Sequence, residues 1–155
     1  MTEIVITPMR YGAPVSKTLV DATMAELAER YGGPGDETPL EPVEFDPPFG
    51  SFFVAYVDEW PVGCGGWRTY RGDEDVAEIK RMYTRPEARG MGVAHAVLAA
   101  IEESARAEGR KKVILETGLK QPEAIAFYER EGYERIPNFG YYRNEPGCRS
   151  YGREL

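Results

Sequence analysis

Val76-Ala77-Glu78-Ile79-Lys80-Arg81-Met82-Tyr83-Thr84, continuing through Arg85-Pro86-Glu87-Ala88 into Arg89-Gly90-Met91-Gly92-Val93-Ala94, is the stretch on which the fold turns. Its first nine residues read as a strand, and two-residue alternation sets Ile79 and Met82 on opposite faces. Arg85-Pro86-Glu87 ends the strand. From Val93 the apolar residues fall at Val93, Ala94, Val97, Leu98, Ile101 and Ala105, the spacing of one buried helical face, and Gly109 stops that helix.

A strand that turns through glycines into a helix points to an anion. The first turn of a helix leaves backbone N–H groups unpaired and carries a partial positive charge, so a phosphate is held there without side chains. Gly90 and Gly92 permit close approach and positive φ. Lys80, Arg81, Arg85 and Arg89 form the densest basic cluster up to that point in an acidic chain. An ordinary strand-to-helix connection is the alternative.

These residues resemble motif A of the GNAT acetyltransferase superfamily, whose R/Q-x-x-G-x-G/A loop takes the pyrophosphate of acetyl-CoA. Arg89-Gly90-Met91-Gly92-Val93-Ala94 fits it, and a frame starting at Glu87 assigns the same loop. The resemblance implies acetyl-CoA as acyl donor. Backbone groups of Met82, Tyr83 and Thr84 would pair with its pantetheine arm, and the amides of Arg89, Gly90, Met91, Gly92, Val93 and Ala94 would hold the pyrophosphate. An extended amide ligand added to a sheet edge is physically reasonable.

Working outward, Phe52 to Val57 and Val62 to Arg68 form a hairpin around Asp58-Glu59-Trp60-Pro61, and Arg71 to Asp75 turns the chain back into the central strand. Glycines in the second arm predict a bulge or a close backbone approach. Ile4-Val5-Ile6, closed by Pro8, is an edge strand. A helix follows from Ser16, its candidate N-cap, with Leu19, Val20, Thr23, Met24, Leu27 and Ala28 on one face, ended by Gly32-Gly33-Pro34-Gly35. Residues 32 to 50 contain four glycines, five prolines and the acids Asp36, Glu37, Glu41, Glu44 and Asp46. So long a connection either frames a site, supplying acid groups for an amine, or is a solvated link.

Beyond the central helix, Lys112 to Thr117 is a strand, and the order strand, helix, strand predicts a parallel crossover beside Val76 to Thr84. Pro122 opens a further helix with Glu123 at its positive end and Ala124, Ile125, Phe127 and Tyr128 on its apolar face; Gly132 closes it. Tyr133 begins another strand, and Cys148 to Arg153 forms the last.

Leu115-Glu116-Thr117-Gly118, with Gln121 to Arg130 and Gly132-Tyr133, is similar to motif B of the same superfamily, whose helical tyrosine lies near the sulfur of acetyl-CoA. The resemblance covers about Ile4 to Tyr151. Gln121-Pro122 departs from it, since many relatives have an asparagine there that bonds the pantetheine arm. The implied fold is α/β: a mixed, mainly antiparallel sheet of six or seven strands flanked by helices on both faces, one domain over residues 1 to 155.

The implied chemistry is direct attack of a primary amine on the thioester. An alkylamine near the lysine pKa of about 10.4 is neutral roughly once in 2,500 molecules at pH 7, a handicap of about 4–5 kcal/mol, so a base is useful. Glu78 matches the family position that often serves, commonly through water, against a reading as a solvent-facing or salt-bridged strand carboxylate; Glu116, at the end of the neighbouring strand, is a second candidate base. Tyr128 is the candidate acid for the departing thiolate, against a reading as core aromatic. His95, the only histidine, receives no role. A non-catalytic acetyl-CoA sensor is the alternative function, and the acceptor is a small amine in preference to a protein lysine.

Composition sets outer bounds. The chain has 155 residues and a formal charge of −7, which argues against duplex nucleic acid, whose binding relies on neutralising phosphates. No run approaches the about 18 apolar residues of a membrane span, and the first residues lack a signal-peptide pattern, so the expected setting is cytoplasmic, with no membrane partner. Cys64 and Cys148 are too few and too far apart for a zinc site and read as packed thiols; no metal is expected. Phe139, Tyr141, Tyr142 and Tyr151 suit either core or a homodimer interface.

Overall fold

The computed structural model describes residues 3–155. In chain order it runs β1 (Ile4–Pro8), α1 (Pro14–Tyr31), β2 (Gly50–Val57), β3 (Trp60–Tyr70), β4 (Asp73–Thr84), α2 (Val93–Ala107), β5 (Lys112–Gly118), α3 (Pro122–Arg130), β6 (Glu134–Ile136) and β7 (Cys148–Glu154). The seven strands form one sheet in the order β1-β2-β3-β4-β5-β7-β6. Among the described residues only β4 and β5 are parallel neighbours, joined by the α2 crossover; the other pairings are antiparallel. The mixed sheet read from the sequence is therefore observed, with β1 at one edge.

Helix α1 begins earlier than the serine suggested. Pro14 takes the first helical position after Ala13, because its missing N–H costs nothing there and its φ is already helical. Ser16 lies inside the helix, where its hydroxyl donates to Arg10 O at 2.7 Å. The expected N-cap is thus a clamp on the preceding turn. On this face of the sheet, Leu19 and Val20 of α1 pack with Phe45, Phe52, Val54 and Cys64. Phe45 comes from a short helical turn, Pro42–Phe45, so part of the 32–50 connection belongs to the core.

The opposite face carries the larger core. Val93, Val97, Leu98 and Ile101 of α2 pack on Ala55, Trp67, Ile79 and Val113, with Tyr128 of α3 at its margin. Each fully buried side chain of this kind contributes about 1.5–3 kcal/mol. Trp67 Nε1 donates to Ser104 Oγ at 2.9 Å, so the indole is buried without an orphan donor. A Cβ at Gly65 would overlap Met82 Sδ and crowd Val97 and Ile101, and one at Gly63 would meet Val93, a close approach of helix to strand, whereas one at Gly66 would meet Ser51 O and Phe52 of β2.

The alternation expected in β4 fails at Arg81. Cys64 pairs with Tyr83 but Gly66 with Lys80, so two steps along β3 answer three along β4. Arg81 absorbs the extra residue with a φ of 64°. The bulge brings Met82 back to the face of Ile79, against the α2 core, and turns Arg81 toward α1. Ile79 and Met82 therefore share a face, correcting the reading that separated them. It also ends the pairing with β5, which spans only Val76–Glu78 against Lys112–Ile114. Beyond that point the two strands part, while β5 stays paired to β7 as far as Gly118.

Candidate active site

The parting of β4 and β5 opens a cleft of about 710 Å³. Residues 79–83 form one wall and residues 115–121 the other; α1, the Gly32–Glu37 turn and Tyr142 enclose the α1 side, while Tyr128 reaches in from α3. Because the β5-facing edge of β4 is unpaired beyond Glu78, its backbone groups are available to an extended ligand.

At the end of β4, Gly92 caps α2 in the left-handed region with φ 88° and ψ 13°, and no side chain caps the helix. Its first amides thus face outward, as an anion requires. The four basic residues do not gather there. Lys80 and Arg81 turn to Asp36, and Arg85 Nε donates to Pro61 O at 3.0 Å. Only Arg89 stays beside the loop, with Nε donating to Thr84 O at 3.0 Å and its guanidinium paired to Glu26 at 2.5 Å. The bulge causes the dispersal, since it sends Arg81 to the α1 face; the anion site rests on backbone and Arg89.

Tyr128 is 5% exposed and lines the cleft. Helix α3 that carries it starts with Pro122 at its first turn and Glu123 beside the positive end, whose carboxyl is held below its ordinary pKa chiefly by its own backbone N–H. Edge-on contacts with Phe127 and Tyr133, at 5.1 and 5.5 Å between centroids, fix the ring. Its hydroxyl has no hydrogen-bond partner among the described residues, and burial pushes its pKa well above the ordinary value, so it stays protonated at neutral pH.

The two carboxylates proposed as base lie in different settings. Glu78 is 4% exposed and accepts from Arg68 Nε at 3.1 Å; Arg68 also donates to Pro39 O at 2.9 Å and Glu44 at 3.2 Å. It is not among the residues lining the cleft, whereas Glu116 is. Glu116 Oε1 accepts the Tyr142 N–H at 3.2 Å, and Oε2 is buried without a partner among the described residues. Burial raises the Glu116 pKa, Lys80 opposes it, and the net direction is upward. A Cβ at Gly140 would overlap the Glu116 carboxyl, so a larger residue there would displace that carboxyl.

Residues 32–37 of the 32–50 connection line the cleft, and two of the connection's five acids, Asp36 and Glu44, are committed to cations. Asp36 Oδ2 accepts from Lys80 Nζ at 2.8 Å and Arg81 at 2.6 Å, while Oδ1 accepts from the Thr38 N–H and hydroxyl at 2.9 and 2.6 Å. Burial alone would raise the Asp36 carboxyl; Lys80 and Thr38 overcome it and hold it well below the usual range. Glu44 pairs with Arg68. Tyr142 Oη accepts the Glu37 N–H at 2.6 Å, joining this connection to the segment between β6 and β7. Tyr142 was legible only as an aromatic, and Asp36 only as one acid of five; neither has a local signal for its place. The bulge did leave one: Lys80-Arg81 between Ile79 and Met82 breaks the two-residue period.

Gln121 Nε2 donates to Tyr31 Oη at 3.1 Å across the cleft rim. His95 is exposed, 2.8 Å from a Glu131 carboxylate oxygen. Cys64 is fully buried and donates to Arg81 O at 3.3 Å, burial pushing its thiol up to about 12, and Cys148 is buried beside Glu116. Among the described residues no three His, Cys, Asp or Glu side chains are placed to hold a metal, and no helix is long and apolar enough to cross a membrane.

The model of the Acetyltransferase (GNAT) family matches residues 20–133. The IAA acetyltransferase of Azospirillum brasilense is 37% identical over 95 residues, 61% of each chain. The uncharacterised N-acetyltransferase YjgM of Escherichia coli is 33% identical over 129 residues, 81% of this chain and 69% of that one. The match thus spans less than two thirds of the Azospirillum protein. A Klebsiella pneumoniae protein assigned as an acyl-CoA N-acyltransferase superposes with a TM-score of 0.80 at 27% identity, covering 98% of this chain and 97% of its own. A GNAT acetyltransferase from Elizabethkingia anophelis, solved with acetyl-CoA bound, shares the fold at a TM-score of 0.68 and 20% identity, covering 98% of both chains.

Proposed function

The chain belongs to the GNAT acetyltransferase family, whose members use acetyl-CoA as cosubstrate, and we propose on that premise that it acetylates a small primary amine by direct attack, with Glu116 as base and Tyr128 as acid. The observation that carries this is the cleft itself. Glu116 lines it on the α1 side of the sheet, with one carboxylate oxygen unpartnered among the described residues, and Tyr128 lines it on the α3 side, at the point where β4 loses its strand partner.

The residues present suit acetyl-CoA. Uncapped amides at the start of α2 provide for a pyrophosphate, with Arg89 beside them, and the free edge of Met82, Tyr83 and Thr84 provides for amide hydrogen bonds. When bound, acetyl-CoA supplies an activated acyl carbon. Glu116 accepts the proton of the incoming ammonium, so that a neutral nitrogen attacks. Backbone amides of the unpaired β4 edge would be available to the oxygen that gains charge. Tyr128 holds its proton until the thiolate needs it, because its raised pKa forbids earlier ionisation.

Glu78 supports the site differently. Its carboxylate neutralises Arg68, which ties β3 to the 32–50 connection through Pro39 O and Glu44. A small acceptor is favoured over a protein lysine because the Tyr142–Glu37 bond closes the α1 side of the cleft. The test is release of free CoA from acetyl-CoA against a pooled panel of amines and lysine peptides. Amine-dependent release supports transfer; calorimetric binding of acetyl-CoA with no release for any amine favours a binding module.

A further inference from the structure

We propose that the acceptor is zwitterionic, an amine whose carbon chain also carries a carboxylate or phosphonate, and that Lys80 receives this anionic group on the α1 side of the cleft. This rests on the acetyl-transfer reading and specifies its substrate class.

Charge pairing carries the argument. Lys80 and Arg81 have side chains only 8% and 5% exposed, and both rely on the same oxygen of Asp36, itself 13% exposed. Arg81 spends a further donor on Tyr11 Oη at 3.2 Å. An ammonium has three N–H donors, and Lys80 uses one of them among the described residues, on a wall of the cleft. Two buried cations against one carboxylate leave one positive charge in excess. Arg68 is settled by the buried Glu78, and Glu44, its second partner, has a side chain 37% exposed, where solvent screens its charge.

Glu116 is the remaining carboxyl in the field of Lys80. While ionised it balances the excess, but it is also the group that takes the amine proton, and on doing so it leaves the cation bare in a poorly solvated place. Buried unpaired charge is costly. A simple alkylammonium keeps the excess throughout the reaction, and a diamine enlarges it. A zwitterion has its ammonium opposite Glu116 and its anion on Lys80; when the proton moves, the anion still pairs the lysine. Glu37, Glu145 and Lys120 also line the cleft, but all three are exposed at its rim, where solvent and salt screen them. Glu26 is taken by Arg89.

The experiment compares kcat/KM for β-alanine and aminomethylphosphonate with that for propylamine and putrescine, in the wild-type protein, Lys80→Met and Lys80→Arg. One charge-assisted hydrogen bond predicts that the wild type prefers an anionic acceptor by about tenfold to a hundredfold, mainly through KM, that Lys80→Met abolishes the preference and that Lys80→Arg keeps most of it. The carboxylate and phosphonate arms distinguish the two anions. Faster acetylation of propylamine or putrescine by the wild type overturns the proposal while leaving acetyl transfer standing. Release of CoA for none of the four or for any other amine, despite acetyl-CoA binding, overturns both. Should Lys80→Met fail to fold, the wild-type ranking alone still decides.

Discussion

Tyr142 Oη accepts the Glu37 N–H at 2.6 Å, a single bond joining segments 105 residues apart. Its backbone N–H meanwhile donates to Glu116. One residue thus closes the α1 side of the cleft and steadies the proposed base. Tyr142→Phe removes the first bond and keeps the second. It should raise the acceptor KM by about two- to tenfold, the worth of one hydrogen bond, with a smaller change in kcat. Faster hydrogen exchange at Glu37, measured by mass spectrometry, checks that closure is what was lost.

Glu116 and Glu78 are separated by paired substitutions. Glu116→Gln should lower kcat/KM by about a hundredfold or more, the scale of a lost general base. Burial holds its pKa above the ordinary carboxylate value of 4.5, and only the ionised form accepts a proton. Activity therefore rises with pH through a value above 4.5, on top of the acceptor's own titration, and the glutamine variant loses that limb. Glu78→Gln leaves Arg68 without its buried partner, so it should cost stability while the folded fraction keeps its turnover. Initial rates normalised to folded protein across pH read both. A full loss in Glu78→Gln with intact folding reverses the assignment.

Tyr128→Phe deletes a hydroxyl that no described residue bonds, so the melting temperature should hold within a few degrees. Turnover should fall by about tenfold to a hundredfold if sulfur protonation is in the slow step. Because its pKa is raised, the wild type should show no alkaline loss from Tyr128 ionisation up to the ordinary tyrosine value of 10.0. Thermal melts and a pH–rate series measure the two effects.

Asp36→Asn should destabilise the fold by about 3–5 kcal/mol, since it deprives Lys80 and Arg81 of the carboxylate oxygen they share. The Asp36 pKa is depressed in the folded state, so its stabilisation is present above the unfolded value of 3.8 and is lost as pH falls through the folded one. Urea unfolding at pH 7 and at acid pH should show the wild type losing this advantage below 3.8, and the variant lacking it throughout.

Much of this molecule is legible locally. The helical spacing from Val93, the glycines before it and the order of strand, helix and strand place an anion-binding turn and a parallel crossover. Pro122 and Gly132 bound the helix that carries Tyr128. Such features depend on neighbours within a few residues, where backbone sterics and side-chain period act directly. Ser16 shows the limit even there, because Pro14 competed for the helix start and prevailed.

Tertiary structure decided the rest. Arg81 in a left-handed conformation put Ile79 and Met82 on one face and turned its own side chain to Asp36 beside Lys80, and the β4–β5 pairing ends at Glu78. Glu78 and Glu116 are equivalent as residue types, yet one meets Arg68 and the other meets the cleft. Asp36 and Tyr142 reach the site from loops 106 residues apart in number. Local pattern reports the period of a backbone, whereas the partner of a buried charge is chosen by whichever distant group can neutralise it when the chain closes, and that choice exists only in three dimensions.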